Sequence, residues 1–80
     1  MNTRKEYIEN SINSRQAEID QYQFAIDTYD MSLPLARRDP DLRDYEHHLS
    51  SMLKSTIIEQ KKAKIMLQVL KTQREQLDDN

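Results

Sequence analysis

The stretch PDLRDYEHHLSSMLKSTIIEQKKAKIMLQVLKTQREQL, residues Pro40–Leu77, decides the fold. It contains no glycine and, after Pro40, no proline. Apolar or aromatic residues recur at Leu42, Tyr45, Leu49, Met52, Ala63, Met66, Leu70 and Leu77. The spacing alternates between three and four, interrupted by Thr56, Glu59 and Gln73. That period predicts one long amphipathic helix laid along another helix. At about 1.5 Å per residue it would be roughly 57 Å long.

Further apolar residues fall outside this seam. Leu53, Ile57, Ile58, Ile65, Leu67 and Val69 spread the apolar surface around much of the helix. A single partner helix cannot cover all of it. Burying one Leu, Ile or Met side chain contributes about 1.5–3 kcal/mol. Half a dozen left bare would outweigh the few kcal/mol that keep a small domain folded. A homodimer closing into a four-helix bundle is the simplest remedy. The expected dimer interface is Ile57, Ile58, Ile65, Met66, Val69 and Leu70.

Upstream, Thr3-Arg4-Lys5-Glu6 reads as a capping box. A heptad then runs with Lys5, Ile12, Ile19 and Ile26 at a, and Ile8, Arg15, Tyr22 and Tyr29 at d. Isoleucine at a is a coiled-coil feature. Arg15 is the misfit; its stem can pack while its guanidinium reaches water. A weaker stripe, Ala17, Phe24 and Met31, lies opposite this seam. Residues 31–38 contain Pro34, which reads as the helix stop. Asp39-Pro40-Asp41 restarts a helix, with Asp39 as N-cap, Pro40 at N1 and Asp41 charging the first turn.

The reading is therefore all-α. Residues 1–80 form one domain: an antiparallel hairpin with helix 1 over about 3–30, a connecting loop over 31–39 and helix 2 over about 40–77. The longer helix 2 should overhang by roughly 15 Å at about 1.5 Å per residue, leaving Val69, Leu70 and Leu77 in or near the overhang.

Composition narrows the classes. With 36% hydrophobic and 32% charged residues the chain is polar, but periodicity and helix formers argue against disorder. There is no cysteine, which excludes disulfides and Cys-based zinc sites. No run approaches the roughly 20 apolar residues of a membrane span. Residues 1–6 lead into no apolar run, so no secretory signal is expected and the chain is placed in the cytoplasm. Net charge is −2, so no strong field draws the whole molecule to nucleic acid or anionic lipid. Residues 16–50 are net acidic and residues 51–74 net basic. In a hairpin this suggests an acidic loop end, a basic open end and an antiparallel dimer.

The signatures of chemistry are thin. His47 and His48 are the only histidines; Asp44 shares a helical face with His48, but zinc wants three or four ligands. Ser50, Ser51 and Ser55 lie near them on a helix, with no strand or glycine turn to build a nucleophile site. No catalytic residue, metal or cofactor is expected. Lys54, Lys61, Lys62, Lys64 and Lys71 could face a phosphate backbone. They lack the interleaved aromatics of single-strand binders, and the helices are too long for a recognition motif. A nucleic-acid accessory protein is kept as the alternative.

What remains is a non-enzymatic protein-interaction module. Its expected partner-binding residues are Tyr7, Phe24, Leu33, Leu35, Arg37, Arg38 and Leu77. By analogy of type alone, such hairpins occur as assembly adaptors, chaperone-like subunits or phage-borne inhibitors of host enzymes.

Overall fold

The computed structural model describes residues 3–78. Among these, only Arg38 and Asp39 lie outside helical turns. Helix α1 spans Thr3–Arg37, a 3₁₀ turn spans Pro40–Leu42, and helix α2 spans Arg43–Asp78. The two long helices run antiparallel in a rod whose extents are 61 × 16 × 13 Å. Thr3, the expected N-cap, is already helical, with Glu6 in the first turn; what precedes it lies outside the described residues.

The connection is shorter than the sequence suggested. Helix α1 does not stop near Asp30 but continues through Pro34 to Arg37. Leu33 and Ala36, on either side of the proline, extend the a and d positions and are buried with Leu49. Their burial holds the helix across the break. Pro34 removes one N–H, the bond owed to the Asp30 carbonyl. Both residues are exposed, so water can serve that carbonyl. Just upstream, the Thr28 and Ser32 hydroxyls donate to the carbonyls of Phe24 and Thr28, at 2.8 and 2.7 Å.

The turn is closed by short-range bonds. The Arg38 and Asp39 amides donate to the Leu35 and Ala36 carbonyls. Asp39 caps the 3₁₀ turn as expected: its Oδ1 accepts from the Asp41 amide at 3.0 Å, and Pro40 takes the first helical position. Since α1 and α2 have 35 and 36 residues, no overhang remains. Leu77 packs on the Ile8 cluster instead.

The seam of α1 follows its heptad: Ile8, Ile12, Ile19, Leu33 and Ala36 are buried, and Tyr22 and Tyr29 pack beside them. The seam of α2 is turned by one residue from the expected one. Leu49, Ala63, Leu70 and Leu77 do face α1, but their companions are Leu53 and Leu67, while Tyr45, Met52 and Met66 are exposed. The reason is polar. The observed register places Gln60 mid-seam, 6% exposed, where its Nε2 donates to the Ile19 carbonyl at 3.2 Å and to Gln23 Oε1 at 3.0 Å. The rival register would bury the Glu59 carboxylate there, a far costlier group to desolvate than an amide.

Candidate interaction faces

Three contacts set the alignment of the helices. Glu9 meets Arg74 at 3.7 Å, Gln23 meets Gln60 at 3.0 Å, and Arg37 meets Glu46 at 2.9 Å. Each is two heptads from the next on both helices, so every step up α1 matches one step down α2. All three lie on the same flank of the seam, which divides the hairpin into two unlike faces.

The flank carrying those contacts is charged. Asp20, Asp27 and Asp30 line α1, and Lys54, Lys61, Lys64 and Lys71 line α2 with half-buried Ile57. Gln16 and Gln23 donate to Asp20 and Asp27 at 3.1 and 3.0 Å. These groups are largely exposed and contribute little each to stability. The acidic part of α1 lies level with the basic part of α2. Charge therefore separates by helix rather than by end, and the end-to-end argument for an antiparallel dimer loses its basis.

The opposite flank mixes apolar, polar and charged groups, among them Arg15, Glu18, Glu59 and Lys62. Tyr7, Asn10, Ser11, Ser14, Glu18, Met66 and Leu70 line a continuous open groove of about 640 Å³ there. Met52 and Val69 continue this side of α2, exposed like Met66, whereas Ile58 and Ile65, the latter 65% exposed, lie further round on the outer side of the helix, one turn from Lys54, Lys61 and Lys62. The four charges of this flank are paired within the hairpin: on α2, Lys62 Nζ meets Glu59 Oε1 at 3.0 Å. Arg15, the misfit of the seam, turns its Nη1 to Glu18 Oε2 at 2.9 Å. The Tyr22 hydroxyl donates to Glu18 Oε1 at 3.1 Å. This bond, with some desolvation and the nearby Glu18 charge, raises the Tyr22 phenol above its ordinary value.

The residues expected at the dimer interface divide. Ile58, Ile65, Met66 and Val69 are exposed; Met66 lines this groove, Val69 stands beside it, and Ile58 and Ile65 lie on the outer side of α2. Leu70 is spent within the hairpin core, and Ile57 lies on the charged flank. The partner-binding candidates divide as well. Tyr7, Phe24, Leu35 and Arg38 are exposed. Leu33 is buried at 6%, Leu77 packs on Ile8, and Arg37 is held by Glu46. Sequence reasoning missed Gln60, whose role depends on the register, and placed Met52 and Tyr45 in the seam rather than on the surface.

Among the described residues, no group of three or more His, Cys, Asp or Glu side chains could hold a metal ion. His47 and His48 are both exposed. No helix among them is long and apolar enough to cross a membrane. Comparison with protein-family models, curated proteins and solved structures finds no match to this chain.

Proposed function

We propose that this chain is a non-enzymatic interaction module of the cytoplasm. Two copies close face to face into a four-helix bundle, which then binds and modulates another protein as an adaptor or inhibitor. One observation carries the reading: Met52, Ile58, Ile65, Met66 and Val69 are all exposed on α2, more apolar surface than its one partner helix covers. Exposed apolar side chains in this number are what an interface core requires, and the Arg15–Glu18 and Glu59–Lys62 pairs beside them are each paired within the hairpin. Phe24 and Met31, each 75% exposed, and Leu35 stand on the outer side of α1. They remain available to a second protein as aromatic and aliphatic anchors.

Folding and association are linked in such an assembly, so its melting temperature rises with protein concentration. Melting followed by circular dichroism over a hundredfold concentration range tests this. A constant midpoint would contradict self-association. A Phe24→Asp variant should keep that concentration dependence and lose the second protein; if it still binds that protein, the outer stripe is not the docking site.

A further inference from the structure

We infer that the outer face of α1 is a second helix-packing seam, and that it takes one helix of another protein whose apolar stripe is edged with Lys or Arg. The inference rests on the reading that a second protein docks on this stripe, and adds the chemistry of that protein.

The stripe has its own period. Ala17, Phe24 and Met31 stand seven apart, and Phe24, Thr28, Met31 and Leu35 step by four, three and four. That alternation is the spacing of a seam made with one neighbouring helix. The hairpin leaves it uncovered. All five residues are exposed, Phe24 and Met31 at 75% and Leu35 at 62%, while Ile12, Ile19 and Leu33 are buried on the opposite side of the same helix. The one hydroxyl of the stripe, on Thr28, is satisfied within α1 by the Phe24 carbonyl. From Ala17 to Leu35 the stripe runs about 27 Å at ~1.5 Å per residue. It is one side chain wide, so a single helix covers it.

The edge of the stripe sets the sign of the partner. Asp20 lies four residues before Phe24, and Asp27 lies three after Phe24 and four before Met31, so both carboxylates flank the apolar line. Both are exposed. They accept from the Gln16 and Gln23 amides, and neither meets a Lys or Arg among the described residues. From Gln16 to Ala36 α1 carries no Lys or Arg at all. A second α1 laid on this stripe would set these aspartates against their own kind. A helix edged with Lys or Arg would pair them, and charges beside a seam are what select its partner.

The probe is a labelled synthetic helix of about three heptads, with leucine in its seam and lysine beside it; the same sequence with glutamate for lysine is its control. Fluorescence anisotropy at physiological salt should show the lysine helix binding the wild-type chain, and the glutamate helix binding at least about tenfold more weakly. Asp20→Lys with Asp27→Lys should reverse that preference. Phe24→Ala should weaken the lysine helix about tenfold, as loss of an anchor does. Asp41→Lys with Asp44→Lys changes the net charge equally but at the turn, and should leave binding of the lysine helix unchanged. Equal sensitivity to both charge reversals would mean diffuse attraction and would overturn the inference, as would failure of the lysine helix to bind. Tighter binding of the glutamate helix, still lost with Phe24→Ala, would overturn the partner's charge and leave the stripe as a docking site. Binding indifferent to Phe24→Ala would overturn both. Sedimentation of the pure chain supplies the last arm. A mass above two chains that falls back in Phe24→Ala would show the stripe taken by further copies, and would overturn the inference too.

Discussion

At Gln60 a single side chain decides which flank of α2 is buried. Its amide reaches across to Ile19 and Gln23, a contact available in one register only. Truncation to Ala should cost about 2 kcal/mol, from a cavity and a lost cross-helix bond. Leu fills the same space and should be near neutral, since Gln23 is exposed and can turn to water. Urea unfolding of the two variants checks this; equal costs would show that the hydrogen bonds matter more than the volume. At Tyr22 the neutral phenol is favoured by its bond to Glu18, so its ionisation midpoint should lie above 10.0. Its contribution to stability is therefore present below the ordinary value and is lost as pH rises through the raised one. Tyrosinate absorbance of wild type minus Tyr22→Phe gives the midpoint, and Glu18→Gln should bring it back down. A midpoint at or below the ordinary value would show that the Glu18 bond does not hold in solution.

The elements show why the register was harder to read than the helices. Ile12 and Ile19 stand on one clean stripe, so α1 was legible from its period. In α2 the pairs Met52–Leu53 and Met66–Leu67 put apolar residues on two adjacent flanks, and period alone cannot choose between them. The choice depends on what lies across the seam, which is tertiary information. Pro34 misled for a related reason: its local cost was visible, but the burial of Leu33 and Ala36 that outweighs it was not. Asp39 and Pro40, whose physics is local, were legible as cap and first helical residue. The exposure of Ile58, Ile65, Met66 and Val69 was legible as a surplus of apolar residues, although Leu70 and Leu77 belong to the core. Two outcomes test this scale. Pro34→Ala restores a backbone bond in α1 and should stabilise by about 1–2 kcal/mol, less than the ~3 kcal/mol helix penalty because proline also restricts the unfolded chain. Asp39→Ala should cost about 1 kcal/mol as a lost cap. Thermal or urea unfolding reads both. No gain at Pro34 would mean that the turn requires its ring.

For the whole molecule, two helices leave Met52, Ile58, Ile65, Met66 and Val69 exposed, and a lone hairpin has nothing to set against them. An ordinary exposed position such as Gln21 should tolerate aspartate. Ile65→Asp places a carboxylate where the second copy would bury it unpaired, which is strongly unfavourable, so that variant should stay helical at high dilution but fail to associate. If the lysines of α2 served a phosphate backbone instead, binding to DNA would fall steeply with salt; no binding is expected at moderate salt in a fluorescence anisotropy titration. Sedimentation equilibrium of the unmodified chain at tens of micromolar tests self-association most directly. The expected result is twice the 9.6 kDa chain mass for the wild type, reduced to a single chain by Ile65→Asp. A folded 9.6 kDa monomer at that concentration would contradict it.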